Sequence, residues 1–439
     1  MKVGYVGLGT MGGALARWLV EDFELQVFDL SARSVAAMVE KGAVAAASLA
    51  DMARDCEVVV LCLPRSANVH QALFGPGGLA EGLSAGKIII DQTSGLPSET
   101  RTMANALEKN GVYMVDAPVA GGVPSALARK ITIMASGPDA AFEKAMPVLE
   151  AISPKVIRCS ERVGDGQAVK LVNNAINAGY RIATLELAAF ALKAGISLDL
   201  FAETLNSGPG ASFSSKVLLP AVIENRSSTD FALALMLKDI NQALALADET
   251  GVPMPIGQLA RVAMQIGVNT LGPDARLDDV VPLIGSFSGV DFSFMPADAE
   301  MTAEKARLLT QIGNAVALCN MVVVLENVAM GARFGLDIPV LFDVVNAGSG
   351  WSAEAERLLQ VLTSQTATGS GSLRDALVDL DTVSRQGVAL GVPLIVLNEV
   401  RAILRAWQNE AGAGAALDTL TAACERAADV RLRPLQVAV

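Results

Sequence analysis

The polar and apolar positions of this chain follow two regimes. Over the first ~160 residues, short continuous apolar runs begin at Lys2 and recur at 24–30, 57–64, 87–93, 112–119, 131–136 and 156–159. Runs this short and unbroken fit strands covered on both faces. Helical patterns separate them, and that alternation predicts a mostly parallel sheet. From Gly164 onward the strand signal vanishes. Apolar positions then recur at helical spacing to the end, broken by Gly-Val-Pro and glycine-rich turns.

The helical half carries the same landmarks twice. Leu185-Glu186-Leu187 matches Leu325-Glu326-Asn327, and Lys193-Ala-Gly195 matches Arg333-Phe-Gly335. Asn206-Ser-Gly208-Pro-Gly210 matches Asn346-Ala-Gly348-Ser-Gly350, and Gly251-Val-Pro253 matches Gly391-Val-Pro393. Every pair lies 140 residues apart. A fixed register over this length predicts two copies of one helical unit. The expected domains are 1–163, 164–295 and 296–439. The stretch 363–372 reads as a flexible loop by composition.

Where the first apolar run ends, the chain reads Gly7-Leu-Gly9-Thr10-Met11-Gly12, and the second run ends on Asp29, 20 residues after Gly9. Strand, glycine loop, helix and acid together form a dinucleotide fingerprint. Gly7 allows a tight turn, Gly9 lets the backbone approach a pyrophosphate, and Gly12 lets the helix pack on the strand. Thr10 and Met11 complete the loop, and the N–H groups of the helix start suit phosphate. Asp29 is suited to ribose hydroxyls and repels a 2′-phosphate. It therefore favours NAD, although Arg33 close behind leaves NADP open. The expected fold class is α/β: a Rossmann-type dinucleotide-binding domain followed by two repeated all-α domains. Ligands of such sheets lie beyond the carboxyl ends of the strands, which singles out the residues after Leu63, Thr93 and Val119.

On the helix that opens the first copy, Lys170, Asn173, Asn174 and Asn177 fall at i, i+3, i+4 and i+7. They form one polar stripe on an otherwise apolar helix, and bare burial of such groups costs several kcal/mol. A solvated face carries Glu, Lys and Arg more often than one Lys among Asn residues, so the stripe points to a ligand. The second copy has Thr310, Gly313, Asn314 and Ala317 at these places, and Val378-Asp379 where the first has Lys238-Asp239. Packing of the unit therefore does not require either lysine, and the second copy reads as scaffold. A third candidate is Asp116-Ala-Pro-Val-Ala120-Gly121-Gly122, whose successive glycines expose backbone N–H groups that suit a carboxylate.

Composition narrows the partners. A net charge of −12 argues against nucleic acid and against an anionic membrane surface. Local positive groups must then attract a small anionic substrate. Five scattered cysteines fit reduced thiols and a cytoplasmic location. The chain opens directly on a strand pattern, which leaves no room for a signal peptide. The most apolar stretch, 316–325, is interrupted by Asn320 and is too short to span a bilayer. His70 is the one histidine, placed after a strand-end loop where a surface position is expected. A histidine-based metal site is not expected, and the acid/base group is sought among Lys, Tyr, Asp and Glu.

Together these motifs resemble the β-hydroxyacid dehydrogenases, the group of 3-hydroxyisobutyrate dehydrogenase, tartronate semialdehyde reductase and 6-phosphogluconate dehydrogenase. The likeness covers roughly 1–290 and rests on four motifs in order, these being Gly7-Leu-Gly-Thr-Met-Gly12, Asp116-Ala-Pro-Val-Ala-Gly-Gly122, Gly164-Asp-Gly-Gln-Ala-Val-Lys170-Leu-Val-Asn-Asn174 and Lys238-Asp239. The resemblance implies that Lys170 is the catalytic acid/base and that Thr93 and the Leu63-Pro64 turn touch the cofactor. It places Ala120, Gly121, Gly122 and Asn174 at the substrate and Lys238 near the nicotinamide. It implies hydride transfer between NAD (NADP not excluded) and a small 3-hydroxy acid, or its semialdehyde or 3-oxo acid. Burial beside the cofactor would lower the lysine pKa and supply a neutral amine. The duplicated helical region is similar to that of 6-phosphogluconate dehydrogenase. It implies either a homodimer or a monomer in which the second copy imitates the partner. Two departures bear on the substrate: the family has serine where this chain has Ala120, and Gly-Thr where it has Arg129-Lys130. No basic cluster for a sugar phosphate is evident. The alternatives are a related reductase of imines or other carbonyls, and a non-catalytic dinucleotide-binding protein.

Overall fold

A computed structural model describes residues 1–293, 301–364 and 371–432. The chain divides into two compact units, Met1–Lys170 and Leu171–Val439. Residues 365–370, the centre of the loop expected at 363–372, lie outside the described residues.

The first unit is built on a sheet of nine strands among the described residues. These are β1 (Lys2–Val6), β2 (Glu24–Phe28), β3 (Val44–Ala45), β4 (Val58–Leu61), β5 (Ile88–Asp91), β6 (Tyr113–Asp116), β7 (Val119–Ala120), β8 (Thr132–Ser136) and β9 (Val156–Ser160). They run in the order β3-β2-β1-β4-β5-β6-β8-β7, with β9 beside β8. Pairing is parallel from β3 through β6, and the order reverses at β1, where β4 pairs on the side opposite β2. That reversal opens the crevice at which such sheets bind ligands. β4 and β5 are wholly buried because helices cover both faces. One face packs Leu15, Leu19, Phe142 and Leu149 against the sheet, the other Met52, Leu73, Met103 and Leu107.

Three details depart from the apolar pattern. The run at 112–119 is two elements, β6 and β7. Pro118 between them has no N–H for the ladder, and β7 turns back antiparallel onto β8. β3 has only two residues, both exposed, so it left no apolar signal. The apolar stretch 316–325 belongs to a 32-residue helix, Ala303–Phe334, longer than the interrupted run suggested. By length and composition that helix could cross a membrane, yet 83% of its most apolar window is buried inside the protein.

The second unit is helical. Helices Leu233–Thr250, Pro255–Leu271 and Val280–Phe287 recur as Leu373–Leu390, Ile395–Ala411 and Leu420–Ala427, each displaced by 140 residues. One stretch differs. Ala353–Ser364 is a single helix, whereas its counterpart is a π turn, Ser214–Leu218, followed by Leu219–Ile223. Pro220 lacks the N–H that a continuous ladder would use, and the wider turn absorbs the loss.

The two sets of helices hold each other reciprocally. The Glu186 carboxyl accepts from Val396 N and Leu397 N, at 3.0 and 2.8 Å. Glu326 accepts from Ile256 N and Gly257 N, at 3.1 and 2.8 Å. Each acid thus caps the first turn of the other set's helix, satisfying donors that have no intrahelical partner. Ser212 and Ser352, also 140 apart, form an antiparallel bridge with each other. Contacts repeated under exchange of the sets describe an internal two-fold relation.

Candidate active site

The glycine loop follows β1 directly. Gly7 has φ +95, a region L side chains avoid, and a Cβ there would run into the carbonyl of Cys62. A Cβ on Gly12 would strike the Gly7 carbonyl, so the helix lies too close for any side chain. Gly9 faces open space within 4 Å. Thr10 is exposed and Met11 half-buried, at the start of the helix Thr10–Ala16. Asp29 stands just past β2, and its two oxygens accept from Leu8 N (2.6 Å) and Ser31 N (2.7 Å). The carboxylate is thereby tied to the glycine loop. An open glycine, a helix start and a fixed acid at the sheet's carboxyl edge fit a dinucleotide.

At the next strand ends, Leu63 N donates to the Thr93 hydroxyl at 3.0 Å, so the turns after β4 and β5 are joined. Pro64 is exposed and Thr93 buried. Thr93 N donates to Asp91 (2.9 Å), and Gln167 Nε2 donates to Asp91 and to the Thr93 carbonyl, both at 3.2 Å. Gln167 also accepts from Thr100 at 2.7 Å. Burial pushes the Asp91 carboxyl up to about 6, against the pull of its hydrogen bonds to Thr93 and Gln167.

Asp116, at the end of β6, sets the beginning of the helix Asp165–Lys193. Its oxygens accept from Gly164 N (2.6 Å), Gln167 N (2.9 Å) and the Ser136 hydroxyl (2.8 Å). Ser136 in turn accepts from Gly166 N at 2.6 Å. Complete burial outweighs these bonds and raises Asp116 to about 7. One turn further on is Lys170, buried at 8% exposure, whose amine donates to the hydroxyl of Ser94. Ser94 directly follows Thr93, so the amine sits where the β5 strand end turns out of the sheet. Gly121 (φ +130) and Gly122 (φ +71) form the turn after β7, behind a half-buried Ala120.

In the helical unit, Asn173, Asn174 and Asn177 are all buried, which excludes a solvated face. Asn174 Nδ2 donates to Asp239 Oδ2 at 2.7 Å, and Asn173 Nδ2 donates to Asn174 Oδ1 at 3.2 Å. Lys238 pairs with the other oxygen of Asp239 at 3.2 Å. His70 is exposed, with its ring 5.2 Å from Phe74, as its position suggested. Ser94, Gln167 and the capping role of Asp116 escaped sequence reasoning. Ser94 had one signal, its place next to Thr93 at a strand end. Gln167 lies inside the lysine motif, but nothing in its spacing shows which groups it joins.

Known proteins agree with this geometry. Residues 2–160 match the family described as the NAD binding domain of 6-phosphogluconate dehydrogenase. Residues 164–284, and again 306–423, match the family described as NAD-binding of NADP-dependent 3-hydroxyisobutyrate dehydrogenase. The 2-(hydroxymethyl)glutarate dehydrogenase of Eubacterium barkeri is 34% identical over 263 residues, 59% of this chain and 87% of that enzyme. The mitochondrial 3-hydroxyisobutyrate dehydrogenase of Drosophila melanogaster is 31% identical over 272 residues, 60% of this chain and 83% of that one. The solved 6-phosphogluconate dehydrogenase of Plasmodium falciparum covers 97% of this chain and 96% of its own, with a TM-score of 0.68 and 14% identity, a likeness of fold. With one matched family over the sheet and the other matched twice along the helices, this chain belongs to the β-hydroxyacid dehydrogenases, which are NAD(P)-dependent enzymes.

Proposed function

We propose that the protein interconverts a small 3-hydroxy acid and its semialdehyde or 3-oxo acid, with Lys170 as general acid/base. The observation that carries this reading is the buried Lys170 amine held at Ser94, beside the β5 strand end. A bound nicotinamide supplies the acceptor for the hydride that leaves the substrate carbon. Lys170 takes the hydroxyl proton in that direction and returns it in reduction, a role that supplies about 10²- to 10⁴-fold in rate. Gln167 and Asp116 fix the helix turn before the lysine, so they position the amine without touching substrate. The backbone N–H groups at Gly121 and Gly122 suit the substrate carboxylate. Asn174, whose amide is oriented by Asp239, offers a further donor.

Asp29 favours NAD, because its charge would face a 2′-phosphate. The segments 164–295 and 296–439 are read as two copies of one helical unit, of which the first keeps the chemistry.

Replacing Lys170 by Ala should lower kcat by a factor of about 100 or more while leaving the NADH dissociation constant nearly unchanged. The assay is turnover of a panel of 3-hydroxy acids with NAD, alongside NADH binding by fluorescence. Undiminished turnover in this variant would sink the proposal. Reduction of imines without any activity on hydroxy acids would redirect it to the related reductases.

A further inference from the structure

The internal two-fold relation provides a comparison inside one chain. Contacts that hold the two helical sets together should recur on both sides of it, as the Glu186 and Glu326 caps do. A contact present on one side only is not required by the packing that both sides share.

One such contact lies at the asparagine pair. Asn173 Oδ1 accepts from Gly350 N at 2.9 Å, and its Nδ2 donates to the Ser349 hydroxyl at 3.1 Å. Both partners belong to the second set's turn, Asn346-Ala-Gly348-Ser-Gly350. The approach is tight: a Cβ on Gly348 would lie 2.6 Å from Asn173 Oδ1, and one on Gly350 3.0 Å. On the opposite side Asn173 is replaced by Gly313, and Ser349 by Pro209. There Gly210 meets Gly313 with no side-chain hydrogen bond of this kind; a Cβ on Gly210 would lie 3.0 Å from the Gly313 carbonyl. The polar contact to that turn comes instead from Asn320, whose Nδ2 donates to the Gly210 carbonyl at 3.4 Å, and none comes from the position of Asn173. The bond from Asn314 Nδ2 to Asp379, 2.7 Å, nevertheless matches that from Asn174 to Asp239. The second side keeps the amide–carboxylate pair and lacks everything that leads to it.

The polarity of the chain of bonds is fixed at both ends. Asp239 can only accept, so Asn174 must turn its NH₂ toward it. The Asn174 oxygen then faces Asn173, which must present its own NH₂. The Asn173 oxygen is left for Gly350 N, which can only donate. Ser349 takes the remaining Asn173 hydrogen. Both hydrogens of Asn173 are thus used, and one hydrogen of Asn174 remains beyond its bond to Asp239.

We propose that Ser349, carried by the second helical set, is a positioning residue of the first. Asp239 sets the direction of the Asn174 amide; Ser349, by taking the second Asn173 hydrogen, holds Asn173 in place against the Asn174 oxygen, so that the remaining Asn174 N–H stays aimed at the substrate carboxylate. The inference rests on the hydroxy-acid reading above. It gives the second set a part in substrate recognition, whereas its loss of both lysines had marked it as scaffold.

The test is steady-state kinetics of the full chain. Ser349→Ala should raise KM for the hydroxy acid about three- to ten-fold, the range of one neutral hydrogen bond, with kcat within two-fold. KM for NAD should not move, the melting temperature should fall by no more than the loss of one buried hydrogen bond accounts for, and Ser349→Thr should restore KM. Asn173→Gly, which copies the other side, should raise the substrate KM more than Ser349→Ala does. Pro209→Ser, at the equivalent turn, should leave all constants as they were. An unchanged substrate KM in Ser349→Ala, or a rise in the KM for NAD equal to that for the hydroxy acid together with a loss of kcat, would overturn the inference alone. Absence of hydroxy-acid turnover in the unmodified enzyme would remove the reading beneath it, and the inference with it.

Discussion

The helix start that carries Lys170 hangs on Asp116, and its removal has a calculable cost. Asp116→Ala deletes the acceptor of Gly164 N and Gln167 N, both at a fully buried position. Each stranded donor costs about 1–3 kcal/mol, and Ser136 loses its acceptor as well, for a sum of about 3–9 kcal/mol. That is a large part of the ~5–15 kcal/mol by which domains are stable. Trp18 is the one tryptophan before residue 171, so a Trp351→Phe/Trp407→Phe background reports the first unit by fluorescence during urea unfolding. The same site predicts a pH dependence. Burial raises Asp116 to about 7 from an ordinary 3.8, so the folded state favours the protonated acid. Its contribution is complete at low pH and is lost as pH rises through about 7. Wild-type stability should therefore fall between pH 5 and 8 relative to Asp116→Asn, whose amide does not titrate. A loss below about 1 kcal/mol in Asp116→Ala, or parallel pH profiles for wild type and Asp116→Asn, would refute the argument.

Other outcomes follow from the same structure. Glu186 and Glu326 are raised by burial to about 7 and about 8. Their contribution is lost as pH rises through those values, so Glu186→Gln and Glu326→Gln should each flatten the decline of melting temperature toward pH 9, read by calorimetry. Replacing Asp29 by Asn removes the charge that repels a 2′-phosphate, and should shift the NADPH-to-NADH affinity ratio toward NADPH by about ten-fold or more, measured by fluorescence titration. Gly12→Ala should abolish binding of either cofactor, since its Cβ has no room beside the Gly7 carbonyl.

What was legible in the sequence was whatever depends on local pattern. Buried strands such as β4 and β5 show as unbroken apolar runs because both faces are covered. The glycine loop shows because backbone angles and close approach admit no substitute at Gly7 and Gly12. The register of the helical landmarks was legible too, since spacing survives divergence of side chains. Contacts between distant segments were not. Ser94 meets Lys170 across 76 residues, and Ser349 meets Asn173 across 176. A serine in a turn has no local signature that separates a partner of an active-site helix from a solvated hydroxyl. The two-residue strand β3 was invisible for a different reason: both its side chains are exposed, so it leaves no apolar signal.

The exchanged glutamates make the helical half indivisible. A chain cut near residue 295 would leave Glu186 without its donors and the first turn of Pro255–Leu271 without its acceptor. Such a fragment would not be a smaller working enzyme but an incomplete one, obliged to find a second molecule to supply the missing ends. Held in one polypeptide, both ends of the exchange meet at an effective concentration that dilution does not change.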